Sequence, residues 1–303
     1  MPVSAKLAIF CGKGGVGKTT LSFAAGLKSA IAGHKVLIVS SHPLAELALA
    51  LSLEGLAERF PAAASNLFVL YIDPQELINE FVKRHLPSAI IGQRVLHSSV
   101  FENLVEIAPG LKEFFFLWRL QELAERRATG SPFPVPAYDF LIWDAPASGH
   151  FLSMLRGARN FGGLLTGALA EAEARTNRFF TGSRNIRLFP VTSLEEMAIV
   201  ETLEVAQTMA SDFAVPCSAL LVNCASPMCT AGEDDIKAIR EPAAVSPALR
   251  FAVQRGLIER QRLRELSAAL PSPQVLIPRM TRSSNDLDLV ARIGERMDLG
   301  RFL

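Results

Sequence analysis

Apolar residues collect along this chain in seven runs of strand length, and the stretches between them repeat their apolar positions at helical spacing. The runs lie at Leu7 to Cys11, Lys35 to Ser40, Leu67 to Ile72, Phe140 to Trp143, Ile186 to Pro190, Ala219 to Asn223 and Val275 to Ile277. They are nearly continuous rather than alternating, the pattern of strands covered on both faces. Strand followed by helix, repeated from one end to the other, predicts an α/β fold built on a doubly wound, mostly parallel sheet.

One interval departs from this rhythm. Residues 74–129 contain no strand-like run and show helical spacing throughout, which predicts a helical subdomain inserted within a single domain spanning 1–303. Its exit, Gly130-Ser131-Pro132-Phe133-Pro134-Val135-Pro136, is a proline-punctuated connector back to the sheet. Leu104, Ile107, Leu111, Phe114, Phe115, Leu117, Trp118 and Leu120 load the insert with more apolar surface than one helix face needs. The longest uncharged stretch, Phe213 to Gly232, carries Pro216, Asn223 and Pro227, so it reads as a buried strand plus loop, and no transmembrane segment is expected.

Composition narrows the classes further. Half of the 303 residues are apolar and a fifth are charged, enough to bury one large core, which excludes intrinsic disorder. Lys and Arg number 31 against 30 Asp and Glu, so no net field draws the molecule to nucleic acid, and none is expected as a partner. Four cysteines are too few for a disulfide framework, and the first ten residues lack the pattern of a secretory leader; a cytoplasmic location is expected.

The chemistry is concentrated in Gly12-Lys13-Gly14-Gly15-Val16-Gly17-Lys18-Thr19-Thr20, which follows the first strand, opens a helix and satisfies G-x-x-x-x-G-K-[ST]. Glycines let successive backbone N–H groups face a phosphate chain, and the helix N-terminus adds its positive end. Lys18 is placed to neutralise the β- and γ-phosphates and Thr19 to ligate Mg²⁺. Asp144, closing the fourth apolar run in Leu141-Ile142-Trp143-Asp144-Ala145-Pro146-Ala147-Ser148-Gly149-His150, is a candidate second Mg²⁺ carboxylate, and the Gly149 N–H a candidate γ-phosphate donor.

Lys13, directly after the first glycine, resembles the deviant Walker A lysine of the group containing MinD, ParA and the arsenical-pump ATPases. In that group the lysine crosses a dimer interface to the other subunit's nucleotide, so the resemblance implies an ATP-dependent dimer, homotypic or with a homologue. Asp144 to His150 resembles switch II of the arsenical-pump (ArsA) family, which includes the targeting ATPases of tail-anchored membrane proteins. Asn66-Leu67, Ile72-Asp73-Pro74, Pro109 to Glu113 and Glu201-Thr202 fit the same family. The resemblance implies ATP and Mg²⁺ as cofactors, adenine contacts from Asn223 and from Pro278-Arg279-Met280, and a hydrophobic client at the helical insert, the alternative being that its apolar residues pack the insert onto itself and the sheet.

Two positions break the pattern. The family's switch I reads Asp-Pro-Ala-His, its aspartate positioning the attacking water, whereas this chain has Ser40-Ser41-His42-Pro43 with His42 in the aspartate's place. A positioned acid or base contributes about 10²- to 10⁴-fold in rate, so slow or partner-dependent ATP hydrolysis is expected unless His42 serves as the base. Cys224 and Cys229, near where the targeting ATPases place a zinc-binding Cys-x-x-Cys, are separated by four residues rather than two and read as free thiols. The alternatives are a catalytically impaired subunit that pairs with an active homologue, and a MinD or ParA type positioning ATPase. Against the latter stands the lack of a basic amphipathic C-terminal helix or a basic stripe.

Overall fold

A computed structural model describes residues 5–40, 53–73, 76–79, 110–126, 137–161, 168–234, 236, 246–280, 286–297 and 299. Seven strands form one sheet: β1 (Leu7–Gly12), β2 (Val36–Ser40), β3 (Leu67–Tyr71), β4 (Phe140–Ala147), β5 (Ile186–Thr192), β6 (Leu220–Ala225) and β7 (Gln274–Pro278). Their spatial order is β3-β2-β4-β1-β5-β6-β7, and every pairing is parallel. All seven expected strands are present. β4 runs on past Trp143, so that Asp144 lies inside the strand rather than after it.

Alternate side chains of β1 enter two different cores, as the period of a pleated strand requires. Leu7, Ile9 and Cys11 join a cluster with Trp143, Phe151 and Leu188; Ala8 and Phe10 join a second with Leu21, Ile38 and Phe189. All six β1 residues are buried. That two-sided burial explains why the apolar runs do not alternate.

The face containing Trp143 is covered by α4 (Leu111–Glu125) and α5 (Ser148–Phe161), joined by α6 (Ala168–Phe180). The other is covered by α1 (Lys18–Ile31) and α9 (Asp286–Arg296). α7 (Glu196–Phe213) adds Val205, Met209 and Phe213 to the Trp143 face, and α2 (Leu53–Arg59), α3 (Pro61–Ala64) and α8 (Pro247–Ala269) are further helices among the described residues.

Of the expected insert, residues 76–79 and 110–126 are described, and part of its apolar surplus lies along α4. Leu111, Phe114, Phe115, Leu117 and Leu120 are buried in the core, and Phe116 sits 5.4 Å from the Trp143 ring, which in turn lies 5.4 Å from Phe151. These aromatic contacts bind the helix to the sheet. Leu104 and Ile107 lie outside the described residues. Among the described residues, no helix is long and apolar enough to cross a membrane.

Candidate nucleotide site

The phosphate loop joins the end of β1 to the start of α1. Gly15 and Gly17 have φ of 84° and 93°, in the left-handed region that side chains avoid. Gly17 is also squeezed: a Cβ there would lie 2.3 Å from Asn223 Nδ2. The N-cap of α1 is Gly17, which has no side chain to cap the helix and so leaves its first-turn N–H groups to an anion.

Asn223 comes from β6, where the register with β7 shifts between Val222 and Ala225 and Cys224 adopts φ 55°. Such an irregularity re-aims side chains. Here Asn223 Nδ2 donates to the Val16 carbonyl at 2.8 Å while its Oδ1 accepts from the Cys224 N–H at 2.9 Å. The residue expected at adenine therefore also braces the phosphate loop.

Lys18 Nζ donates to the Lys13 carbonyl at 2.9 Å, within the loop that it follows. Burial holds its ammonium below the ordinary range, against the opposing pull of Asp144 and, more weakly, Cys11 and Glu201. Thr19 Oγ1 donates to Asp144 Oδ2 at 2.7 Å. β1 and β4 are neighbours with Phe10 opposite Asp144, which brings a carboxylate from residue 144 beside a hydroxyl from residue 19. A hydroxyl and a buried carboxylate are hard oxygen donors, so this pair fits Mg²⁺.

Lys13 Nζ lies 3.5 Å from Glu201 Oε1 on α7, and Glu201 Oε2 accepts from Ser148 Oγ at 2.9 Å. The loop lysine is thus tied through one carboxylate to the N-terminus of α5. Gly149, in the first turn of that helix, is exposed. His42 lies outside the described residues.

A cavity of about 570 Å³ opens beside the loop, within the size range of small-molecule sites. It is lined by Lys13, Gly14, Gly15, Val16, Gly17 and Thr20 together with Asn223, Pro278, Arg279 and Met280. Sequence positions more than 200 apart thereby share one wall. Gly12, Lys18, Thr19, Asp144 and Gly149 are outside that lining.

The sequence reading missed Arg255 and Glu259 of α8 and Ser193 to Glu195 after β5, all of which line the cavity. An Arg and a Glu one helical turn apart around a glycine was the visible signal, and it is too common to single out a site. Cys224 is exposed and Cys229 half-buried, and among the described residues no cluster of three or more His, Cys, Asp or Glu side chains is arranged to hold a metal.

The chain is 26% identical over 232 residues to ATPase BagA of Mycobacterium tuberculosis, covering 72% of this chain and 64% of that protein. It is 29% identical over 170 residues to ATPase get3 of Schizosaccharomyces japonicus, covering 55% and 47%. It is 31% identical over 160 residues to the arsenical pump-driving ATPase of Acidiphilium multivorum, covering 48% and 24%. The chain thus matches less than two thirds of the length of each of these relatives. The anion-transporting ATPase profile matches residues 5–214, from β1 through the phosphate loop, Asp144 and α7. The chain belongs to this family, the ArsA ATPases.

Proposed function

We propose that this protein is a dimeric, cytoplasmic ATPase switch that binds Mg·ATP in the cavity beside residues 12–20, couples nucleotide state to dimer conformation and serves a hydrophobic client. The observation that carries the reading is the Thr19–Asp144 hydrogen bond, which joins the two oxygen donors beside the loop at 2.7 Å. In this reading the glycine amides and the α1 N-terminus bind the phosphates, Lys18 neutralises the β- and γ-phosphates, and Thr19 and Asp144 hold Mg²⁺. Held there, the ion would supply neutralisation of the charge on the phosphates. Asn223 and Pro278 to Met280 face the adenine, and the Gly149 N–H is offered to the γ-phosphate.

Lys13 is the switch. Its pairing with Glu201 is 3.5 Å long and each side chain is about a third exposed. Such a pair is worth about 1 kcal/mol or less, little enough to be exchanged for a partner's triphosphate. Releasing Glu201 leaves it bonded to Ser148, and so couples that exchange to the start of α5.

His42 in place of the water-positioning aspartate supports slow or partner-dependent turnover. The same observation favours a second reading, a regulatory subunit that pairs with an active homologue. The client part rests on the resemblance to targeting ATPases and on the apolar insert, whose described helix α4 spends its large side chains in the core. Calorimetric titration with Mg·ATP, followed by sizing with a non-hydrolysable analogue and measurement of turnover, tests these readings in order. Tight binding with analogue-driven dimerisation is expected. Absence of Mg·ATP affinity would overturn the proposal, and turnover at the family's ordinary rate would remove the regulatory reading.

A further inference from the structure

Helix α8 lies beyond the family match, which ends at residue 214, yet it forms part of the cavity wall. It reaches that wall through a close approach at Gly256, where a Cβ would fall 2.5 Å from Met228 Cγ and 2.7 Å from Ser226 Oγ. Only a residue without a side chain lets the helix come so near the turn after β6. Around that contact the turn is gripped by hydrogen bonds: the Ser226 N–H donates to Glu259 Oε2 at 3.0 Å, and Arg260 donates to the Ala231 carbonyl at 2.6 Å.

Glu259 is 7% exposed, and its second oxygen accepts from Arg255 Nε at 3.1 Å. One side of the Arg255 guanidinium is thereby fixed. Its two terminal amino groups have no partner among the described residues, and the side chain is 46% exposed, in the wall that also holds Asn223 and Cys224. A planar cation held at one edge, with an open face and free donors, is suited to lie against an aromatic ring bearing acceptor nitrogens. A phosphate chain already has the loop amides and Lys18.

We infer that Arg255 is a nucleobase-recognition residue, its guanidinium oriented by Glu259 and laid against the purine of a nucleoside triphosphate in this cavity. The inference rests on the reading that the cavity takes Mg·ATP. Glu259 acts as a positioning residue through Arg255, and the Ser226 turn keeps both in register with Asn223.

The test is calorimetric titration of the full chain and of Arg255→Ala and Arg255→Lys with Mg·ATP and, separately, with Mg·tripolyphosphate, which has the phosphates and no base. Arg255→Ala should weaken ATP about tenfold, the scale of a ring stacked on a planar side chain, and leave tripolyphosphate unchanged. Arg255→Lys should resemble the alanine variant, because an ammonium has no planar face. The inference is overturned if Arg255→Ala binds ATP as wild type does, if both ligands weaken equally, or if lysine restores full affinity. Failure of wild-type protein to bind Mg·ATP at all would instead overturn the underlying reading and this inference with it.

Discussion

Gly17→Ala is the sharpest probe of how the phosphate loop is held. At φ 93° an alanine suffers the steric cost of a left-handed residue, about 1–2 kcal/mol. Its Cβ would also stand 2.3 Å from Asn223 Nδ2, so the amide must withdraw and give up its bond to the Val16 carbonyl, a loss of about 0.5–1.5 kcal/mol. Gly17→Ala should therefore destabilise the protein by about 1.5–3.5 kcal/mol. The second component disappears if the amide is already absent. In an Asn223→Ala background the glycine substitution should cost only the backbone strain, giving a coupling of about 1 kcal/mol between the two sites. Urea unfolding of wild type, both single variants and the double variant measures this directly. Additive effects, with coupling below about 0.3 kcal/mol, would refute the claim that Asn223 and Gly17 compete for one space.

Three other outcomes are expected. Lys18→Met removes an ammonium that burial holds below its ordinary value of 10.5. As pH approaches 10.5 from below, the unfolded wild-type chain binds more protons than the folded one, so wild-type stability gains with pH there. The variant lacks that gain: at pH 7 it should be at least as stable as wild type to urea, and its relative stability should fall toward pH 10.5. Glu201→Gln frees Lys13 from its carboxylate and should promote analogue-driven dimerisation by up to about fivefold in sedimentation, the worth of a partly exposed ion pair; weakened dimerisation would contradict the exchange. Phe116→Ala, which empties a fully buried site beside Trp143, should cost about 3–5 kcal/mol by urea unfolding, and a loss below 1 would mean that α4 is not part of the core.

Much of this architecture was readable because parallel strands leave a strong trace. Each needs apolar residues on both faces, so β1 and its neighbours stand out as unbroken runs. The loop was equally plain, since its glycines and lysine have to be consecutive to surround a phosphate chain. β4 was read short because Asp144 and Pro146 look like a strand's end, whereas parallel pairing with β1 carries it to Ala147. The role of α4 was harder to see. Helical spacing rich in phenylalanine says that a surface is covered without saying by what, and the Phe116–Trp143 stack is a tertiary fact. Arg255 and Glu259 left no usable trace, because a helix surface bearing an Arg and a Glu four apart is ordinary until its glycine is found pressed on the turn after β6.

The packing of α9 against α1 has a consequence for how the polypeptide can be cut. Leu287, Val290 and Ile293 lie under the helix that begins at the phosphate loop, and Lys28 Nζ donates to the Met297 carbonyl at 2.8 Å. A fragment ending at residue 214 would keep the whole stretch that the family model matches, the phosphate loop and Asp144 included. It would also strip the outer edge of β5, where Val191 pairs with Leu221, and leave the oily underside of α1 facing water. Such a fragment should aggregate rather than behave as a miniature of the whole, because the first helix after the glycines is finished by α9, more than 250 positions further along.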